Sequence, residues 1–187
     1  MTGPRASELD RRTCAPGART PVTRLPALAF ATALGVGYAP FAPGTFGSAV
    51  GLVLWAALPS SALVQAAAIV ALFVLGSWSG SVAERHFGRT DPGQVVIDEV
   101  MGMLITLFLN PVGWKGAFVA FLFFRVADVI KPYPANRFEH LPGGVGVMAD
   151  DGMAAIYANL AVRACLWSSS HVAIWSWLLR RTDPLTR

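Results

Sequence analysis

Two pairs of adjacent carboxylates, Asp98-Glu99 and Asp150-Asp151, stand at the edges of apolar stretches of the chain. Burying an unpaired carboxylate in an apolar environment is costly. A position at a helix N-terminus stabilises a negative charge by only about 0.3–1 kcal/mol. A bound metal ion compensates for burial better than that. The Asp98-Glu99 pair therefore predicts metal binding or catalysis, with helix capping as the alternative interpretation.

A further group combines two cations with one carboxylate. Arg125, Asp128 and Lys131 follow one another at intervals of three residues, and Pro132 comes directly after them. This spacing predicts one face of a helix that ends before the proline. Two cations and a carboxylate on one face suit a phosphate and its metal ion. An intrahelical ion pair is the alternative, although the apolar residues before Arg125 make it less fitting.

The segment 42–48 combines Pro and Gly with two hydroxyl residues. It predicts a tight loop, after which Thr45 or Ser48 is expected to cap a helix. Free backbone N–H groups at a helix start favour an anion. A plain helix start with small residues is an equally good interpretation of this segment taken alone.

The segment 143–151 places a glycine-rich stretch before the second acidic pair. Gly143 and Gly144 are expected to form a loop that allows close backbone approach. The helix that follows is expected to begin at Asp150 and Asp151. A glycine-rich loop by itself is weak support for a site, but one that leads into an acidic pair is stronger.

Five carboxylates and two cations thus accompany two glycine-containing loops. Hard oxygen ligands of this kind suit Mg²⁺, and Mg²⁺ with Arg and Lys stabilises the charge of a phosphoryl transition state. The three histidines are not clustered by spacing, which makes zinc a weaker prediction. The chemistry predicted for these segments is therefore metal-dependent reaction at a phosphate.

The elements that position these residues are apolar. Of the 187 residues, 54% are hydrophobic and 14% are charged, whereas a soluble domain usually carries about 25% charged residues. A membrane protein is the favoured interpretation, and six buried helices of a soluble all-α protein are the alternative. The net charge of +4 is spread between apolar segments, and this disfavours nucleic-acid binding, which concentrates cations on one patch.

The hydrophobic pattern predicts an all-α, polytopic membrane bundle of about six helices. The apolar segments are 45–58, 62–84, 96–109, 115–130, 150–167 and 170–180. A full span needs about 20 residues, which only 62–84 clearly meets, so the shorter segments are expected to be tilted, half-spanning or interfacial. Short turns alternate with long polar connections, and this alternation predicts three helical hairpins with every long connection and both termini on one side.

Charge placement agrees with that arrangement. All 11 acidic residues, and every basic residue except Lys115 and Arg163, lie on that side or in helix ends facing it. An excess of Lys and Arg marks the cytoplasmic side of a membrane, so this end is expected to face the cytoplasm. A single domain is predicted over 25–181, with a disordered tail over 1–24 and a short C-terminal tail over 182–187.

In the polar segments the sequence resembles the phosphatidylglycerophosphatase A family. The matching strings are Tyr38–Ser48, Val96–Met103, Phe124–Pro134 and Gly143–Asp151. They occur in the family's order. One departure from the pattern is Gly152, where a bulkier apolar residue is expected.

The resemblance implies a multi-pass enzyme of the bacterial inner membrane. Such enzymes hydrolyse phosphatidylglycerophosphate to phosphatidylglycerol and phosphate with Mg²⁺, in phospholipid biosynthesis. Carried over by position, the acidic residues that bind metal and take part in catalysis are Asp98, Glu99, Asp128, Asp150 and Asp151. The residues expected to bind phosphate are Thr45, Ser48, Arg125, Lys131, Gly143 and Gly144.

Two other functions stay open on the sequence. A CDP-alcohol phosphatidyltransferase of the same pathway has a motif that Asp150-Asp151-Gly152 and Ala155 faintly resemble, but the Arg and the two later aspartates of that motif are missing. A non-enzymatic transporter or lipid-binding scaffold would explain Arg125 within an apolar segment. However, the charges gather at one face and leave no polar line through a bilayer.

Overall fold

A computed structural model describes residues 24–138 and 141–169. Its helices are α1 (Arg24–Ala31), α2 (Pro43–Ala57), α3 (Ala62–Phe87), α4 (Ile97–Leu107), α5 (Trp114–Ile130), α6 (Ala135–Phe138) and α7 (Gly144–Ser169), with a 3-10 turn at Val36–Tyr38. Neither described range contains a strand. The all-α prediction is therefore confirmed for this part of the chain.

Helices α2 to α5 correspond to four of the predicted apolar segments, with ends that agree within three residues. Arg24, predicted to belong to the N-terminal tail, is instead the first residue of α1. The rest of that tail, the predicted segment 170–180 and the C-terminal tail lie outside the described residues. Apolar segment length thus located the helices of the middle of the chain.

The predicted start of α7 is wrong. The helix begins at Gly144, so Asp150 and Asp151 lie in its second turn and not at its start. A Cβ atom on Gly144 would lie 2.4 Å from the carbonyl oxygen of Ser77 and 2.6 Å from the amide nitrogen of Ser81. The glycine therefore allows α7 to pack closely on α3, and it does not form a flexible loop.

Helix α4 lies at the centre of the bundle. It packs against α2, α3, α5 and α7, and 9 of its 11 residues are buried. Small residues make the close packing possible: a Cβ on Gly51 of α2 would lie 2.7 Å from the carbonyl oxygen of Val100, and one on Gly102 would lie 2.4 Å from the ring of Phe124 in α5. Although α2 and α3 are joined by a short turn, α2 packs mainly on α4, and α3 packs mainly on α7 and α1.

The C-terminal end of α4 is held by side chains of α7. Asn159 Nδ2 donates hydrogen bonds of 2.9–3.0 Å to the carbonyl oxygens of Ile105, Thr106 and Phe108. Arg163 donates to the Asn159 side-chain oxygen at 2.9 Å and to the Phe108 carbonyl at 3.3 Å. Arg163, an exception to the predicted charge placement, therefore satisfies carbonyl groups that a helix end leaves free.

Among the described helices, α3 is the one that is long and apolar enough to cross a bilayer. Only 11% of its most apolar window is buried against the rest of the protein, whereas the core helix of a soluble protein would be mostly buried. Its side chains Val70 and Val74 are 62% and 59% exposed. The described residues thus support one crossing helix, and the further crossings stay a prediction.

Candidate active site

Three carboxylates from two helices converge beside the N-terminal end of α4. Asp98 and Glu99 lie in the first turn of α4, as predicted, and Asp151 projects from α7. Each offers one oxygen atom, and these oxygens all lie within 4.8 Å of one another. Asp98 and Asp151 expose only 5% and 4% of their surface. We refer to Asp98, Glu99 and Asp151 as the acid cluster.

Two oxygen atoms of the acid cluster lack a hydrogen-bond donor. Glu99 Oε2 and Asp151 Oδ2 are buried, and neither accepts a hydrogen bond from any described residue. Most buried polar atoms in proteins do have a partner, and a buried charge without one is strongly unfavourable. Two such oxygens in one cluster are what a divalent cation would satisfy, because hard cations take carboxylate oxygens as ligands.

Burial changes the protonation of these carboxyl groups. It raises the pKa of Glu99 to about 7. Burial and the neighbouring Glu99 together raise the pKa of Asp98 well above its usual range. In the absence of a cation the cluster therefore retains protons near neutral pH, and a cation would have to displace them.

Asp128 lies at the side of the acid cluster and is held by Arg125. Arg125 Nη1 is 2.8 Å from Asp128 Oδ2, which confirms that these two residues share a helix face. The same nitrogen donates to Ser48 Oγ at 3.3 Å. The carboxylate of Asp128 is close enough to Glu99 to contribute to the raised pKa of that residue. Arg125 is thus fixed from two sides at the edge of the cluster.

The N-terminal end of α2 completes this side of the site. Its N-cap residue is Ala42, and no side chain caps the helix, so the prediction that Thr45 or Ser48 caps it is wrong. Ser48 is fully buried one turn into the helix and donates to the carbonyl oxygen of Gly44 at 2.9 Å. Thr45 is half-buried in the first turn.

Gly44 is the point at which α2 approaches the charged groups most closely. A Cβ atom there would lie 2.1 Å from Glu99 Oε1 and 3.1 Å from Arg125 Nη2. Any side chain at this position would displace the carboxylate or the guanidinium group. The glycine therefore leaves room for Glu99 and Arg125 to lie against the backbone of α2.

Lys131 and Asp150 form a separate ion pair. Lys131 follows α5 in a left-handed conformation, with φ of 43°, so it lies beyond the helix face on which the sequence analysis expected it. Burial lowers the pKa of Lys131, but the hydrogen bond with Asp150 outweighs this and raises it above the usual value. Asp150 is therefore paired with a lysine and lies outside the acid cluster, and its role as a metal ligand stays a prediction.

A polar cavity of about 640 Å³ opens beside this ion pair. Glu84, Asp91, Gly143 and Asp150 are among the residues that line it. Glu84 and Asp91 were not predicted from the sequence as site residues, although the charge of Asp91 is close enough to contribute to the raised pKa of Asp98. The one sequence feature that connects Glu84 and Asp91 with the site is their predicted position on the polar side of the bundle.

The two predicted phosphate-binding glycines contact α3. A Cβ on Gly143, which has φ of +69°, would lie 2.9 Å from Ser81 Oγ. The backbone N–H of Gly144 donates to that same hydroxyl oxygen at 2.9 Å. The Gly144 amide thus already has an acceptor within the protein, while Gly143 lines the polar cavity.

The chain is similar to known proteins over the whole region that carries these residues. It matches the family model for phosphatidylglycerophosphatase A over residues 29–166. It is 39% identical over 127 residues to phosphatidylglycerophosphatase A of Haemophilus influenzae, which covers 66% of this chain and 78% of the relative. The protein of the same name from Escherichia coli is 32% identical over 129 residues, 67% of this chain and 75% of the relative.

Another relative carries a different name. A Bacteroides thetaiotaomicron protein, provisionally named a phosphatidylinositol-3-phosphatase, is 38% identical over 145 residues, 73% of this chain and 91% of the relative. No solved structure matches the chain.

Proposed function

Since the chain belongs to the phosphatidylglycerophosphatase A family, we propose that it hydrolyses the phosphate monoester of phosphatidylglycerophosphate to phosphatidylglycerol and phosphate, with Mg²⁺ held by the acid cluster. One observation carries the metal site: Glu99 Oε2 and Asp151 Oδ2 are buried together without a hydrogen-bond donor. When bound, Mg²⁺ would polarise the phosphate and lower the pKa of a water molecule.

Asp98, Glu99 and Asp151 are the proposed ligands, with Asp128 as an adjacent carboxylate. Of Asp98 and Glu99, the one that keeps an oxygen free of the metal would accept the proton of the attacking water. Burial raises the pKa of Glu99 to about 7 in the metal-free protein, and a bound cation would lower it, so that the carboxylate would be deprotonated and able to accept a proton. In a second route, which uses the same residues, an aspartate would attack phosphorus and break the ester P–O bond, so that phosphatidylglycerol leaves with a proton, and water would then hydrolyse the aspartyl phosphate to release phosphate.

The cations have distinct proposed roles. Arg125 is fixed by Asp128 and Ser48 beside Glu99, so its remaining N–H groups would bind the phosphate where charge develops in the transition state. Lys131 stays protonated at neutral pH because of its partner Asp150. It would attract the anionic headgroup to the edge of the site.

We propose that the enzyme is a multi-pass protein of the bacterial inner membrane and that this site faces the cytoplasm. The first turn of α4 and the end of α5 lie at the site, and α3 is long and apolar enough to cross. Helix α4, with 11 residues, is only about 16 Å long and is a half-spanning helix in this proposal. A lipid in the cytoplasmic leaflet would present its phosphate at the depth of the acid cluster.

Phosphatidylinositol 3-phosphate is a second candidate substrate. It is favoured by the name of the Bacteroides relative, of which this chain covers 91%. Both lipids carry a phosphate monoester on a hydroxylated headgroup. The polar cavity beside Asp150, of about 640 Å³, would accept either headgroup. The rates of phosphate release from the two lipids therefore decide between them.

Phosphate release by the purified protein in detergent tests the proposal. Each lipid phosphate is supplied with Mg²⁺ and, separately, with EDTA, and we expect Mg²⁺-dependent release that is faster from phosphatidylglycerophosphate. Release of CMP from CDP-diacylglycerol and glycerol phosphate would favour the phosphatidyltransferase instead. Absence of release from both lipid phosphates would contradict the proposal and favour a scaffold.

A further inference from the structure

An apolar groove of about 360 Å³ lies between α3, α4, α6 and α7. Every residue that lines it is apolar or glycine, and they include Val70 and Phe73 of α3, Met101 of α4, and Gly152 and Ile156 of α7. Val70 is 62% exposed and Ile156 is 44% exposed. The groove is therefore open along its outer edge and has no described side chain that would bind a polar ligand.

Two residues that line the groove are close in sequence to the acid cluster. In α4, Met101 follows Asp98 by one helical turn, and in α7, Gly152 directly follows Asp151. The groove extends along α7 from Met148 to Ile156, which is about 12 Å of helix. Its lining thus starts within one helical turn of the carboxylates and continues along α7 away from them.

Gly152 gives the groove its depth. A Cβ atom there would lie 3.5 Å from Met101 Cε and 3.9 Å from Ile105 Cδ1, which is ordinary van der Waals contact. Helix packing therefore does not require glycine at 152, in contrast to Gly144. Glycine in a helix interior is less stable than alanine, so the missing side chain has a cost that the packing does not explain. A larger side chain would fill the groove beside Asp151.

We propose that this groove binds one acyl chain of the lipid substrate while its phosphate lies at the acid cluster. The inference rests on the proposed phosphatase function. The short distance along α4 and α7 between the groove lining and the cluster selects this occupant: an acyl chain in the groove can belong to a molecule whose phosphate lies beside Asp98 and Asp151. A bulk bilayer lipid or a second copy of the protein would need no such proximity.

Gly152→Leu tests the proposal, because leucine would occupy the groove. Ala164→Leu is the matched control, since Ala164 is exposed on the same helix and does not line the groove. On dioleoyl phosphatidylglycerophosphate we expect Gly152→Leu to lower kcat/KM by at least about tenfold and Ala164→Leu to leave it unchanged. On the deacylated, water-soluble headgroup phosphate, both variants should match the wild type.

Two results would overturn the proposal: equal losses for Gly152→Leu on the acylated and deacylated substrates, or full activity on both. Ile156→Phe is the second variant, because this partly exposed side chain narrows the groove from its outer edge without a buried clash, and the same pattern is expected. If the wild type released phosphate from no lipid, the proposed function would fail, and this result is separate from the differences between variants.

A photoreactive lipid gives a readout that does not depend on catalysis. Phosphatidylglycerol with a diazirine in its acyl chain is cross-linked to the full-length protein, and labelled peptides are mapped by mass spectrometry. We expect labelling at Val70, Phe73 and Ile156 that Gly152→Leu reduces and Ala164→Leu does not. Labelling that Gly152→Leu leaves unchanged would identify bulk lipid contact and overturn the proposal.

Discussion

The polar groups at the two ends of α4 differ in whether they have hydrogen-bond partners. At the C-terminal end, Asn159 and Arg163 of α7 donate to the free carbonyl groups. At the N-terminal end, Glu99 Oε2 and Asp151 Oδ2 are buried without a donor. Helices α4 and α7 are thus connected by hydrogen bonds at the C-terminal end of α4, whereas at its N-terminal end their carboxylates face each other.

The two ends of α4 therefore differ in role. The hydrogen bonds at the C-terminal end stabilise the fold, and the carboxylates at the N-terminal end serve the proposed function. Asn110 Oδ1 is an exception at the C-terminal end, since it also has no partner, but a neutral amide oxygen costs less to bury than a carboxylate. Facing carboxylates destabilise the metal-free protein, and a bound cation would offset this destabilisation. We therefore expect substitutions at the two ends to have opposite consequences.

The largest effect is expected at the N-terminal end. Asp98→Asn or Asp151→Asn should lower the rate of phosphate release by at least about 100-fold, because each removes a proposed metal ligand or a group that acts on the transition state. Thermal unfolding of the metal-free protein should be unchanged or shifted to higher temperature, since a repelling buried carboxyl group is lost.

Asp91→Asn is the control for these two variants. It also removes one carboxylate, but this residue lines the polar cavity and lies outside the acid cluster, so the rate should fall far less than about 100-fold. An Asp98→Asn or Asp151→Asn enzyme with wild-type rates would contradict the assignment of the acid cluster.

The reverse outcome is expected at the C-terminal end. Asn159→Ala should lower the free energy of unfolding by about 1–2 kcal/mol, because three carbonyl groups at the end of α4 each lose one of two donors. The folded fraction should retain its rate of phosphate release and its dependence on Mg²⁺. Arg163→Ala should destabilise less, since Asn159 keeps its three carbonyl bonds. Loss of activity per folded molecule in Asn159→Ala would show that the two ends are not independent.

The pH dependence of metal binding provides a third test. Glu99 has its pKa raised to about 7, so below that pH a cation must displace its proton. For one displaced proton, the apparent Mg²⁺ affinity should fall about tenfold for each pH unit below 7. Isothermal titration at several pH values measures this, and Glu99→Gln should make the dependence less steep without abolishing it, because burial also raises the pKa of Asp98. Affinity that rises as pH falls would contradict the prediction.

The raised pKa of Glu99 affects the stability of the metal-free protein in the opposite direction: Mg²⁺ affinity rises with pH, whereas this stability falls. Between the usual pKa of a glutamate and about 7, the unfolded chain has released the proton that the folded protein keeps. Stability of the metal-free protein therefore falls as pH rises through this interval. Added Mg²⁺ should stabilise the protein most above pH 7, which thermal unfolding with and without Mg²⁺ would detect.

The smallest effect is expected at Ser48. Ser48→Ala removes one hydrogen-bond acceptor from Arg125 but leaves the ion pair with Asp128. A loss of about 0.5–1.5 kcal/mol corresponds to a severalfold lower kcat/KM. Ser79→Ala is the control, because this buried hydroxyl bonds only to the Gly76 carbonyl among the described contacts and should leave kinetics unchanged. Equal kinetics in both variants would exclude a positioning role for Ser48.

The sequence predicted the helices of the middle of the chain because apolar segment length is a local property. It also predicted Asp98 and Glu99 in the first turn of a helix, since adjacent charges at the edge of an apolar run mark such a boundary. Asp151 was among the predicted acidic site residues, and the structure places it beside Asp98 and Glu99. Its approach to Asp98, and the pairing of Asp150 with Lys131 instead, depend on how α7 packs.

The predictions that were wrong concern residues whose partners are distant in the chain. Gly144 was expected in a loop because glycine often marks one, but its small size serves contact with Ser77 and Ser81 of α3. No role was predicted for Asn159, since the carbonyl groups that it binds lie about 50 residues earlier, on α4. Such contacts leave no periodic signal in a single sequence.

Binding of Mn²⁺ tests the central claim most directly. Mn²⁺ accepts the same oxygen ligands as Mg²⁺, and its electron paramagnetic resonance signal distinguishes bound from free ion in the purified protein. We predict that the wild type and Asn159→Ala bind Mn²⁺ and that Mg²⁺ displaces it, whereas Asp98→Asn and Asp151→Asn lose this binding. Wild-type affinity for Mn²⁺ in both aspartate variants would contradict the acid cluster as the metal site.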